Sequence, residues 1–208
     1  MTTVGRTSTS RGELVLRQVD EHFEVISNGV FLMDTRDGRS ERLLVTAALD
    51  AHTNPRSLLI GGLGVGFSLA AAITDSRLQT ITVVEIEPVL IDWYANKLGG
   101  TAHHDPRVTV EIGDISDHTG DYDVICLDVD NGPDWTVTDS NKSLYDDAGT
   151  ALLASRLTPH GVFAVWSAHQ VPSYEELLRR QFCDVQILTV AVPRGEADSV
   201  YVARYVGA

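Results

Sequence analysis

Two carboxylates, Asp128 and Asp130, close the apolar run Asp123-Val124-Ile125-Cys126-Leu127 and lead into Asn131-Gly132-Pro133-Asp134-Trp135. Acids at the carboxyl end of a buried strand stand over the crevice in which open α/β sheets take ligands. Close, partly desolvated carboxylates raise one another's pKa, so such a pair can hold an ammonium group or take the proton an amine loses on alkylation. Asp128 is the candidate to orient or deprotonate an acceptor, with Asp130 adding complementary charge and Asn131 and Trp135 lining the mouth. The competing reading is a solvated acidic loop. His169, in Trp166-Ser167-Ala168-His169-Gln170, is a candidate second base facing the acceptor or, equally, a surface or capping histidine.

A second chemical signal is Leu58-Leu59-Ile60-Gly61-Gly62-Leu63-Gly64-Val65-Gly66, an apolar run entering a glycine-rich turn ahead of a small-residue helix. Glycines there permit a tight turn and let a ligand approach backbone N–H groups. The same turn could simply pack a helix close to a sheet. Glu85 ends the next apolar run at about the 20-residue offset at which an acid accepts from ribose hydroxyls, with Ile86 beside it. Gly62, Gly64 and Gly66 run G-x-G-x-G rather than the dinucleotide G-x-G-x-x-G, which is the spacing of adenosylmethionine proteins. Asp114 and Ile115 follow the third run, placed for an adenine amino group and ring, or for a simple cap.

These residues need a scaffold, and the pattern around them supplies one. From Pro55 onward apolar runs alternate with helical segments, the signature of βαβ units and a parallel sheet. Strands are expected at Ser57 to Gly61, Thr80 to Glu85, Val108 to Ile112, Val124 to Asp128 and Val162 to Trp166. Helices are expected at Val65 to Thr74, Pro88 to Lys97, Leu144 to Arg156 and Ser173 to Gln181. Two further runs, Val185 to Val192 and Ser199 to Tyr205, joined through Pro193-Arg194-Gly195, suggest a closing hairpin. Upstream, Leu14 to Leu16, Phe23 to Ile26 and Val30 to Met33 read as small antiparallel strands, followed by a helix from Ser40 that Asn54-Pro55 ends. The division expected is a disordered Thr/Ser-rich tail over 1–10, a β-hairpin region over 11–39 and a Rossmann-like nucleoside-binding catalytic domain over 40–208.

Composition narrows the partners. Among 208 residues, 16 Lys+Arg stand against 29 Asp+Glu, a formal charge of −13, and no basic patch offsets it, so nucleic acid is not expected as a partner. The 43% apolar content suits one well-packed globule. Cys126 and Cys183 are too far apart in sequence for a zinc spacing or a disulfide framework; both are expected in the core of a cytoplasmic protein. The N-terminus shows no apolar leader pattern, and no apolar stretch is long enough to span a bilayer. His103-His104-Asp105 does not read as a metal site, because neighbouring side chains in an extended loop point apart. Trp93 and Tyr94 read as packing aromatics.

Taken together, Glu13 to Tyr205 resembles the spermidine synthase family, the polyamine aminopropyltransferase branch of the class I methyltransferase fold. The resemblance rests on the early hairpins, His52-Thr53-Asn54-Pro55, the glycine loop and the Asp123 to Asp128 strand. It implies an α/β fold with a mostly parallel seven-stranded sheet, a C-terminal antiparallel hairpin and a homodimer. It further implies Asp128 as the catalytic aspartate that also borders the nucleoside, Glu85 as ribose ligand, Asp114 with Ile115 as adenine contacts, and Glu41 as a nucleoside contact. Departures accompany the matches. Gly64 stands where the family has the aspartate that helps hold the donor's aminopropyl ammonium, and Ser40, Arg42, Ala168 and Gly195 replace a tyrosine, a glutamate, an acid and a tyrosine of the diamine site. The expectation is therefore a transferase using intact adenosylmethionine, moving a methyl or aminocarboxypropyl group to a small amine-bearing acceptor. The alternatives are aminopropyl transfer from the decarboxylated donor and a non-catalytic nucleoside binder.

Overall fold

A computed structural model describes residues 1–193 and 195–205. Arg194, in the turn expected before the last strand, and residues 206–208, at the end of the expected catalytic domain, lie outside the described residues. The chain forms two sheets. An N-terminal antiparallel sheet, ordered β1-β2-β3-β4, comprises β1 (Thr2–Thr9), β2 (Gly12–Val19), β3 (His22–Ser27) and β4 (Val30–Asp34). After α1 (Arg39–Ala51) come β5 (Ser57–Gly61), α2 (Phe67–Ala72), β6 (Thr80–Glu85), α3 (Pro88–Asn96), β7 (Val108–Ile112) and β8 (Tyr122–Leu127). The chain closes with α4 (Asp147–Ala154), β9 (Leu157–Ser167), α5 (Pro172–Gln181), β10 (Asp184–Val190) and β11 (Asp198–Arg204). The seven-stranded sheet is ordered β10-β11-β9-β8-β5-β6-β7, parallel from β9 to β7, with β11 antiparallel to both its neighbours. This is the mostly parallel α/β architecture expected, preceded by the hairpin sheet.

Strand alternation divides the core. Leu58 and Ile60 of β5 meet Leu44, Val45 and Ala48 of α1 on one face. Leu59, Ile125, Leu127 and Phe163 face α4 and α5 on the other. A third cluster joins the sheets, with Leu14, Leu16 and Val25 packing on Leu90 and Trp93 of α3. Tyr94 is buried beneath Gly66, whose φ of +90° carries the glycine loop into α2. That left-handed residue is also why α2 starts at Phe67 rather than Val65. The helix expected from Leu144 begins at Asp147, because Asp146 caps it by accepting the Gly149 N–H at 2.8 Å.

Two expectations are corrected. Residues 1–10 are not a disordered tail, since Thr2–Thr9 pairs along its length with β2. Threonine and valine are β-branched and suit a strand, and Gly5 lies flat on Trp93, whose indole is 3.0 Å from where a Cβ would stand. Cys126 is buried as expected, but Cys183 is exposed, because it follows α5 at the start of an edge strand. Among the described residues no helix is long and apolar enough to cross a membrane.

Candidate active site

Strand order reverses at β5, which the chain leaves toward β6 and β7 before returning on its other side as β8. The crevice above such a switch point is where open α/β sheets bind ligands, and a cleft of about 1430 Å³ lies there, walled on its outer side by β4 and the turn between β1 and β2.

The glycine loop forms its floor. Gly62 has a φ of +91°, and a Cβ on it would fall far inside contact distance of the Asp128 carbonyl oxygen, so β8 and the loop approach as closely as backbone allows. Gly62→Ala is expected to destabilise the protein by about 3 kcal/mol or more, read as a lower urea midpoint, because both the left-handed conformation and the clash with rigid backbone must be relieved. Gly64 has a φ of +54° and is covered by Met33 of β4, whose sulfur is 3.1 Å from where a Cβ would stand.

Glu85 sits at the end of β6, only 5% exposed. Its carboxylate accepts the Leu63 N–H at 2.9 Å and the Glu87 N–H at 2.8 Å. Burial pushes its pKa up, while the amides of Glu87, Leu63 and Gly64 pull it down. Next to it, Ile86 lines the cleft and its carbonyl accepts from Arg11, which is also ion-paired to Glu87 at 2.8 Å. The first two N-terminal strands are thus tied by their turn to the Glu85 end of the cleft. Asp114 and Ile115 line the same end. Asp114 also caps its own turn, accepting from the Ser116 amide and hydroxyl at 2.8 Å each, which is the cap that the sequence offered as its other role.

At the opposite side, Asp128 stands at the end of β8 and accepts the Ser68 hydroxyl at 2.7 Å. Burial raises its pKa to about 6, against the pull of Ser68, and the charge on Glu85 adds to the rise. Glu41, from the first turn of α1, lies near enough to feel Asp128. Burial first and that charge second raise it to about 7. Ser40 contacts Glu41 at 2.9 Å and Asp198, the first residue of β11, at 2.6 Å. Asp198 is likewise raised by burial. Asp130 adopts a φ of +55° and binds Asn141 at 2.6 Å, so its carboxylate fastens the loop after β8. Asn131 is buried in the cleft wall, Trp135 is half exposed at the mouth, and His169 lines the cleft while pairing with Asp134 at 2.9 Å. Among the described lining residues, eleven carboxylates face two arginines, Arg11 and Arg36, and both arginines are already ion-paired.

The spermine/spermidine synthase domain model matches residues 39–195, well over half of the chain. The chain belongs to that family. A polyamine aminopropyltransferase 2 of Pseudomonas aeruginosa is 32% identical over 134 residues, covering 59% of this chain and 36% of that protein. A putrescine N-methyltransferase 4 of Nicotiana tabacum is 30% identical over 129 residues, covering 58% and 32%. These alignments span about a third of the length of each of those relatives. A crystal structure of spermidine synthase with the transition-state analogue AdoDATO superposes with a TM-score of 0.81 at 17% identity, covering 98% of this chain and 73% of that one. Human methyltransferase-like protein 13 with SAH gives a TM-score of 0.63 at 22% identity, covering 80% and 82%.

Every residue expected to contact nucleoside or acceptor in this spermine/spermidine synthase homologue, from Glu41 to His169, borders this cleft. Sequence reasoning missed Ser40, Ser68 and Asp198. In the sequence Ser40 figures only as the replacement of a tyrosine, and Ser68 carries no signal. Asp198 had a usable signal, since a strand antiparallel to its neighbour begins where that neighbour ends, and β11 pairs Ser199 with Ser167 at the cleft edge. At the positions where the resemblance implies a diamine site the chain carries Ser40, Arg42, Ala168 and Gly195, and Arg42 stacks its guanidinium 4.4 Å over Phe67.

Proposed function

We propose that the cleft transfers an aminopropyl group from decarboxylated adenosylmethionine to an amine acceptor. One observation carries this reading, the excess of carboxylates over free cations in the cleft wall. The carboxylate of intact adenosylmethionine would enter a field in which each like charge about 6 Å away costs about 3 kcal/mol at an effective dielectric of roughly 20. A donor ending in an ammonium gains from the same field. The preference for intact adenosylmethionine drawn from Gly64 is reversed on this ground.

The residues fit a nucleoside. The buried Glu85 retains acceptor capacity toward ribose hydroxyls, Asp114 and Ile115 line the cleft where an adenine would lie, and Gly62, Gly64 and Gly66 all line the cleft wall as backbone without a side chain. When bound, the donor supplies an electrophilic carbon attached to a sulfonium that departs as a neutral thioether. The protein needs only to align the amine behind that carbon, exclude water and remove one proton. Asp128, tuned to about 6, is the group proposed to orient the amine and accept its proton. Glu41 and Asp198 supply negative charge further along the acceptor's path, and the Asp130 loop with Asn131, Trp135 and His169 shapes the mouth.

Methyl transfer from intact adenosylmethionine is the second reading, favoured by the missing side chain at Gly64 and by the similarity to putrescine N-methyltransferases. Calorimetric titration with both donors separates the two. The decarboxylated donor is expected to bind about 100-fold more tightly, the equivalent of one such like-charge contact. Equal or tighter binding of intact adenosylmethionine, with methyl transfer to a diamine, would overturn aminopropyl transfer in favour of the second reading.

A further inference from the structure

Ser40 lies between two carboxylates, 2.9 Å from Glu41 Oε2 and 2.6 Å from Asp198 Oδ2. A hydroxyl carries one hydrogen and cannot donate to both. With both acids ionised, one of these contacts would set a carboxylate oxygen against the hydroxyl's lone pairs. Both become hydrogen bonds only if one further proton is present. Both contacts lie within the range of O–H···O hydrogen bonds, and Glu41, which burial and the charge of Asp128 raise to about 7, is the acid that keeps the proton. Glu41 therefore donates to Ser40, and Ser40 donates to an ionised Asp198.

The surroundings agree. Ser40 is 4% exposed, so water does not compete for its hydroxyl. Glu41 faces Asp128 at the end of β8 and Asp198 from β11, and the charges acting on it among the described residues are those two carboxylates. Asp198 faces Asp37 and, in partial compensation, Arg39, and it lies at the cleft wall.

We propose that Glu41, Ser40 and Asp198 hold one proton in common in the free protein, and that a cationic amine seating beside Glu41 and Asp128 expels it through Ser40 and Asp198 to solvent. The Glu41 Oε2–H bond breaks as its proton passes to Ser40 Oγ, while the Ser40 proton passes to Asp198 and from there to buffer. One proton leaves for each ammonium charge that enters, and no electron changes hands. Ser40 is a positioning residue in this scheme, and the trio keeps the acceptor end from accumulating charge until its cation arrives. The amine-binding half of the inference rests on the acceptor class proposed above; the shared proton does not.

The test is calorimetry of 1,4-diaminobutane binding in the presence of methylthioadenosine, in buffers of differing ionisation enthalpy. Glu41 carries its proton below about 7. With Asp128 titrating near 6 beside it, release is expected to be about one and a half protons per amine at pH 6, slightly over half near pH 7 and close to none at pH 8.5, and in Asp128→Asn about one at pH 6 and half near pH 7 from the trio alone. Asp198→Asn should move the midpoint down by about one pH unit by removing a like charge. Ser40→Ala should displace it and Ser40→Thr restore it. Binding without proton release, or an unchanged profile in Ser40→Ala, overturns the proposal. Failure of the diamine to bind overturns the acceptor class instead. The shared proton is then decided by a carboxyl ¹³C NMR titration of the free protein, in which the Glu41 midpoint must lie near 7 and move in Ser40→Ala and Asp198→Asn.

Discussion

Asp128→Asn is expected to lower turnover by about 10²- to 10⁴-fold while leaving nucleoside affinity within about threefold, as removal of a general base from an otherwise intact site does. Asparagine keeps the volume and can still accept the Ser68 hydroxyl, so the cleft's shape survives and only the proton-accepting oxygen is lost. In the parent protein the acid limb of kcat/KM should fall near pH 6, where Asp128 loses its proton, and the variant's residual activity should lack that limb. Stability should move the opposite way. The folded-state pKa of Asp128 is raised, so its contribution is complete below the ordinary aspartate value and is lost as pH rises through about 6. The variant, permanently neutral, should match the parent at pH 4 and exceed it by about 2–3 kcal/mol at pH 8. Turnover that survives the substitution would remove Asp128 from proton transfer. A stability difference that does not grow with pH would mean the carboxylate is not strained by its burial.

The parallel half of the fold was legible because burial on both faces turns a strand into an unbroken apolar run. β5, β6 and β7 begin and end at the residues that pattern marks, and Glu85 follows directly from where β6 stops. β1 was not legible in the same way. Its strand signal is β-branching in one valine and several threonines, the latter a residue that also populates flexible tails, and what holds it in place, Trp93 against Gly5, comes from α3 far along the chain. The cleft divides likewise. Glu85, Asp114 and Asp128 each end or follow a recognisable strand, so local pattern finds them. Ser40, Ser68 and Asp198 come from two helices and the last strand, and their importance lies in one another's proximity, which no spacing along the chain expresses. The same holds for Asp130. Its place in the acidic run suggested chemistry, whereas its left-handed backbone and bond to Asn141 show a carboxylate committed to fastening a loop.

Glu85→Ala is expected to reduce nucleoside affinity at least about 100-fold and to cost about 2–4 kcal/mol of stability, since buried N–H groups left without an acceptor cost about 1–3 kcal/mol each. The Leu63 and Glu87 amides, 2.9 and 2.8 Å from the carboxylate, would lose their partner, and the glycine loop would lose the group that pins it to β6. Part of that loss is offset, because burial already disfavours the ionised carboxylate and alanine relieves that penalty. Glu85→Gln separates the loop from the ligand. Glutamine offers one acceptor oxygen but sets an NH₂ donor against the second amide, so about half of the stability loss should persist. An affinity loss in Glu85→Gln much larger than its stability loss would place the carboxylate on the nucleoside itself, because a glutamine able to fill the space would still fail to accept both ribose hydroxyls. If calorimetry with methylthioadenosine instead shows affinity falling only in step with the melting temperature across both variants, Glu85 acts through the loop alone, and the ribose must be held by the backbone it positions.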